Sequence, residues 1–219
     1  MLSDRKPGEY IMIVDALDQA WQAWAQLGTH LGAEQWDRPT RLEDWTVRHV
    51  FAHYADIPGV LGAALNGEGA PESGAAPTFA DAAELLAFMQ RPGGVARTEA
   101  DRIRDAGIAD SRSTDELVAQ FTEVAPRTIE RLRGRDLGTL VPYSELGTVA
   151  AGEALRIQLM EAVVHYLDLA TALELPKPGP PAGEPMRVTA ALLAAIADPV
   201  HLIEAATGRS DTGIFPVLR

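Results

Sequence analysis

One segment constrains this chain more than any other: the apolar run over residues 150–174. On a helix turning about 100° per residue, Leu155, Ile157, Leu159, Met160, Val163, Val164, Leu167, Leu169 and Leu173 cover most of the circumference. A helix that is apolar nearly all round is normally buried, so the rest of the chain must supply helices to surround it. One narrow sector breaks the pattern. Gln158, Glu161, His165 and Asp168 fall together, flanked only by Ala154 and Ala172. Glu161 and His165 are four residues apart and point the same way over one turn. Two readings fit this sector. It is either an interior polar cluster, whose carboxylate and imidazole must be paired or metal-bound, or a narrow solvent-facing seam.

Elsewhere helical periodicity also dominates, and strands with a two-residue period are scarce. A helix is expected over 8–31, with Ile11, Val14, Leu17, Trp21, Trp24 and Leu27 on its stripe. A second is expected from Trp45–Thr46 to about Asn66, capped by Asp44 or Thr46 and bending at Pro58–Gly59. Residues 67–77 read as a loop, and short helices as 78–90 and 95–107. A long helix opens at Thr114 and reaches Arg133 with a kink at Pro126, followed by irregular chain to Val149 in which Thr139–Pro142 is extended. Pro176–Pro185 is a stiff linker, and residues 186–207 are a helical tail interrupted at Pro199. The expected architecture is an all-α four-helix bundle with short extra helices over residues 1–175. The linker and tail, residues 176–219, are expected to pack on it.

Composition narrows the chemistry. With no cysteine in 219 residues, disulfides, thiolate zinc sites and a sulfur nucleophile of the protein's own are excluded. Any metal must take nitrogen and oxygen ligands. A formal charge of −12 argues against nucleic acid. The absence of an apolar leader or a long uncharged apolar stretch leads to the expectation of a soluble cytoplasmic protein without membrane contact. A third donor beside Glu161 and His165 must come from another helix. His53 lies on the shoulder of the apolar stripe formed by Val47, Val50, Phe51, Tyr54 and Leu61, so it can reach an interior or be a hydrogen-bonded core histidine. His49 falls on nearly the opposite face beside Asp56 and is expected to be solvated; His30 and His201 have weaker claims.

The run RPTRLEDWTVRHVFAHYAD (38–56) resembles the first signature of DinB-like proteins, and GEALRIQLMEAVVHYLDLATAL (152–173) resembles their second, E-x-x-x-H-x-x-D-L-A. The closest branch is the actinobacterial, mycothiol-dependent maleylpyruvate isomerase type; the ending PVHLIEAATGRSDTGIFPVLR also resembles the tail of its single-domain members. The resemblance implies a DinB-like bundle in which His53, Glu161 and His165 hold one divalent metal, most often zinc, with Asp168 orienting a ligand from behind. It further implies mycothiol or a similar small thiol as co-substrate and a small electrophile as partner. Three protein donors including one carboxylate leave a coordination position open, where a thiol would lose its proton. The implied activity is a thiol S-transferase or a thiol-dependent cis–trans isomerase. The alternatives are a hydrolase using metal-bound water and a non-catalytic binding protein. A homodimer is an assembly to test. Larger relatives carry a C-terminal substrate-binding domain for which residues 186–219 are too few, which argues against maleylpyruvate itself as substrate.

Remaining candidates are weaker. Arg91, Arg97, Arg102 and Arg104 could meet an anionic substrate, but are expected to balance Glu99, Asp101 and Asp105. Trp21, Trp24, Trp36 and Trp45 read as core or loop anchors, with a pocket wall as the alternative. Arg209 reads as a surface residue, with a role at the mouth of the site as the alternative.

Overall fold

The aromatic residues of the first helix explain why helical legs close on one another here. Trp24 is fully buried and its ring meets Phe51, Phe121 and Tyr166, each from a different leg, at centroid distances of 4.9, 5.1 and 6.4 Å. Its indole N–H donates to the carbonyl of Ala162 at 3.0 Å, so the one polar atom of this side chain is satisfied inside the core. The computed structural model describes residues 7–64, 75–176 and 179–209. Most of the expected loop at 67–77, part of the linker and the ending SDTGIFPVLR lie outside the described residues.

In chain order the elements are α1 (Pro7–His30), α2 (Ala33–Trp36), α3 (Val47–Ala55), α4 (Ile57–Ala64), α5 (Ala82–Gln90), α6 (Val95–Thr98) and α7 (Ala100–Ala109). There follow α8 (Thr114–Ala119), a π-helical turn (Gln120–Val124), α9 (Ala125–Arg133), β1 (Leu140–Pro142), β2 (Thr148–Ala150), α10 (Ala151–Ala172), α11 (Glu184–Ile196) and α12 (Pro199–Ala206). Four legs make the bundle: α1, α3 with α4, α8 with α9, and α10. Both α1 and the α3–α4 leg touch α10 on one side and the α8–α9 leg on the other. The fold is all-α, as expected, with one small sheet as its only departure among the described residues. No described helix is long and apolar enough to cross a membrane.

Several boundaries differ from the periodicity for local reasons. The second helix breaks at Asp56 rather than at Pro58–Gly59, which places Pro58 in the first turn of α4, where its missing N–H costs nothing. Thr46, not Asp44, is the N-cap of α3. Ser113 caps α8, its hydroxyl accepting from the backbone N–H of Glu116, whose carboxylate returns to the Ser113 N–H. Just before Pro126, where a kink was expected, the helix widens into the π-turn Gln120–Val124, which leaves Pro126 in the first turn of α9. On α1, Ile13 takes the buried place expected of Ile11, which is 60% exposed. The second strand was not expected: β2 pairs antiparallel with β1, Val141 facing Val149, and a three-residue strand carries too few alternations to be read from sequence.

The apolar run becomes α10, which contributes to both hydrophobic clusters. Its first turn contains Gly152, where a Cβ would come within 2.1 Å of the Tyr10 ring. Next to it Glu153, 2% exposed, accepts from the Ala82 N–H at 3.1 Å and the Tyr10 hydroxyl at 3.4 Å, tying the start of α5 and α1 to α10. Gly152→Ala should therefore force α1 away from α10 and cost about 1–3 kcal/mol, read as a lower denaturant midpoint with an unchanged m-value. Beyond the linker, α11 packs on α10, α5 and α1 and buries Val188 and Leu192.

Candidate functional site

α3 and α10 carry the polar cluster. His53 stands in the last turn of α3, and Glu161 and His165 stand one turn apart on α10, so two packed helices bring three donors together. One potential ligand atom from each of the three lies within 4.8 Å of the others. The two imidazoles are 5.0 Å apart and nearly perpendicular, and His165 Nε2 lies 3.3 Å from a Glu161 oxygen. The other ring nitrogen of His165, Nδ1, faces Asp168 at 3.1 Å. Asp168 is 2% exposed and its second oxygen accepts from Arg41 Nε at 2.6 Å. The chain Arg41–Asp168–His165 thus fixes the orientation of that ring and leaves Nε2 turned toward Glu161 and His53.

Burial and charge set the protonation of the cluster. Burial, reinforced by the neighbouring His165, pushes His53 down to about 4 against a weaker opposing pull from Glu161. Burial works against a cationic His165 as well, but hydrogen bonds to Asp168 and Glu161 outweigh it and raise this imidazole to about 9. Burial alone would raise Glu161; the hydrogen bond and charge of His165 overcome that and hold its carboxyl below the usual range. His53 is therefore a neutral imidazole with a lone pair to give.

A cavity of about 500 Å³ opens over these donors, walled by α5, α7, the loop before α3 and the hairpin. Trp45 forms part of the wall, its ring edge-on to His53 at 5.1 Å and stacked on His165 at 6.3 Å. Trp21, Trp24 and Trp36 are core anchors. Tyr143, from the hairpin, and Gln158, from the polar sector of α10, line the cavity and hydrogen-bond to each other at 3.3 Å. Tyr54 also reaches it, but its hydroxyl is committed, donating to the Gln158 carbonyl at 2.7 Å and accepting from Trp21 Nε1 at 3.2 Å.

Other candidates fall elsewhere. His49 is half-buried rather than solvated, and its ring accepts from the Thr46 N–H at the start of α3. His30 is bound to the Gln26 carbonyl, and His201 lies beside Asp198 on α12. Arg102 pairs with Glu99, and Arg104 with Asp101 and Asp105, as the charge pattern suggested; Arg91 lies over the Phe88 ring and Arg97 donates to the Gln90 carbonyl. Arg209 is exposed and does not line the cavity. Arg41 and Tyr143 were not found from sequence: each reaches the cluster through tertiary packing, and neither carries a periodic signal.

The chain is a helical bundle with two imidazoles and a carboxylate under a largely apolar cavity, and the family model that it matches is a domain of the DinB-like superfamily. The chain belongs, more narrowly, to the family described as mycothiol maleylpyruvate isomerase N-terminal domain, whose family model matches residues 17–170. That span includes His53, Glu161, His165, Asp168 and the hairpin. No curated protein and no solved structure matches the chain.

Proposed function

We propose that this chain is a metal-dependent thiol enzyme that uses mycothiol or a similar small thiol on a small electrophile, by S-transfer or by thiol-dependent cis–trans isomerisation. The observation that carries the reading is the convergence of His53, Glu161 and His165 at the floor of a cavity roomy enough for a small molecule. Their chemistry fits a divalent metal of zinc type: two imidazole nitrogens and one carboxylate, one imidazole neutral and the other oriented from behind by Asp168. When bound, such a metal supplies a Lewis acid that holds a thiol as its nucleophilic thiolate. The chain's own residues do the rest. Trp45 and the apolar walls flank the donors, Arg41 and Asp168 hold the His165 ring, and Glu161 balances the cationic charge. The family named for mycothiol supports the choice of thiol, and a reduced thiol co-substrate suits a cytoplasmic location.

Asp168→Asn tests the supporting chain without changing side-chain shape. It should weaken metal binding about 10- to 100-fold in competition with a chromophoric chelator. Wild-type affinity would assign Asp168 to the fold alone. The activity itself is tested by following mycothiol loss in the presence of a generic electrophile. Enzyme-dependent loss should vanish on chelation and return with added zinc; loss that proceeds equally in chelated protein would sink the reading.

A further inference from the structure

The donor that α3 supplies, His53, stands in its last turn, just before the chain breaks: α3 ends at Ala55 and α4 begins at Ile57. At Asp56 the backbone N–H turns to the Tyr54 carbonyl instead of that of Ala52, its partner in a continuing helix. The turn that carries His53 therefore loses part of its own ladder. Arg112, which does not line the cavity, makes up the loss. Its Nη2 donates to the Ala52 carbonyl at 3.3 Å and its Nη1 to the Asp56 carboxylate. A cation in this place also suits the partial negative charge of a helix C-terminus.

The guanidinium is itself held in place. Asp110 accepts from its Nε at 2.9 Å and from its Nη2 at 2.6 Å. Arg48, in the first turn of α3, donates to the backbone carbonyls of Asp110 and Arg112, so the connection between α7 and α8 is tied to both ends of α3. Arg48, Asp110 and Arg112 are all half-buried, unlike the exposed ion pairs whose contribution is small. The same connection leads out of α7, which packs on the ligand itself: Gly107 is buried, and a Cβ there would lie 3.8 Å from that of His53. On the core side Tyr54 holds the same turn through Trp21 and the Gln158 carbonyl.

We propose that Arg112 is a positioning residue of the metal site, an inference that rests on the metal-site reading and deepens it: by capping the last turn of α3, Arg112 sets where His53 stands relative to Glu161 and His165. It acts through the Ala52 carbonyl and the Asp56 carboxylate, not as a ligand.

Cobalt(II), whose visible bands report coordination geometry, tests this without thiol or turnover. Chelator-treated full-length protein is titrated with cobalt(II) in competition with a chromophoric chelator, at a temperature where circular dichroism shows each variant folded. Arg112→Met keeps the length of the side chain and removes the fork; it should weaken cobalt binding about 10-fold and change the visible bands of the bound ion. Arg112→Lys restores the charge without the fork and should bind about 3-fold more weakly than wild type. Arg133→Met breaks the pairs from α9 to Asp15 and Asp18 on α1 and controls for a general loss of stability; it should match wild type in affinity and spectrum. If Arg112→Met does not fold, Arg112→Lys carries the test alone. Wild-type affinity and spectrum in every folded Arg112 variant, or an equal fall in Arg133→Met, would overturn the proposal. Failure of the metal-site reading would show separately, as a wild-type protein that takes up no cobalt.

Discussion

His53→Ala and His165→Ala should each reduce the metal content of purified protein from close to one ion per chain to near zero, while the far-ultraviolet circular dichroism keeps its helical form. The two histidines come from different helices, so loss of either removes a nitrogen donor and leaves at most one imidazole and one carboxylate, too few to retain a divalent ion through purification. The expected loss of affinity exceeds the roughly 10- to 100-fold of an outer residue such as Asp168. Neither ring serves as a main packing element of the bundle: the largest fully buried side chains are Trp21, Trp24, Tyr54, Phe51 and Phe121. The fold should therefore survive both changes. Full metal content in both variants would contradict the proposed site.

Trp24→Ala should have the largest effect on stability. Trp24 is 0% exposed, contacts aromatic rings from the other three legs and donates to the Ala162 carbonyl. Its removal opens a cavity at the meeting point of the bundle and leaves that donor–acceptor pair broken. The expected cost is about 3–5 kcal/mol, a large share of the roughly 5–15 kcal/mol that holds a typical domain folded. Chemical denaturation monitored by circular dichroism measures it. A cost below about 1 kcal/mol would mean that the four legs do not depend on this residue for closure.

How much of this was legible in the sequence follows from where each relation is encoded. Glu161 and His165 sit one turn apart on one helix, so a wheel finds them, and the apolar coverage of the same helix already argues for an interior. His53 was legible as a shoulder residue because its own helix sets its direction; only the packing of α3 on α10 could show that it faces Glu161 and His165. Arg41 and Asp168 are 127 residues apart and joined by a single hydrogen bond, which no local pattern records. Tyr143 enters the cavity from a hairpin whose second strand is three residues long, too short for alternation to be seen. The buried Glu153 is the reverse case. Its charge suggests solvent at the start of a helix, yet it is buried: the Ala82 N–H and the Tyr10 hydroxyl, both distant in sequence, donate to it, and Arg156, one turn on, lies 3.5 Å away. Periodicity reports what one helix does with its faces, and pairings between elements need the fold.

Zinc-edge X-ray absorption of the zinc-loaded protein, before and after addition of mycothiol, tests the central claim most directly. The chain has no cysteine, so the first shell should begin with nitrogen and oxygen scatterers alone, with an imidazole signature from His53 and His165. On adding the thiol, one sulfur scatterer should appear at about 2.3 Å, the length of a zinc–thiolate bond. A zinc shell that stays purely nitrogen and oxygen at saturating mycothiol would contradict the account.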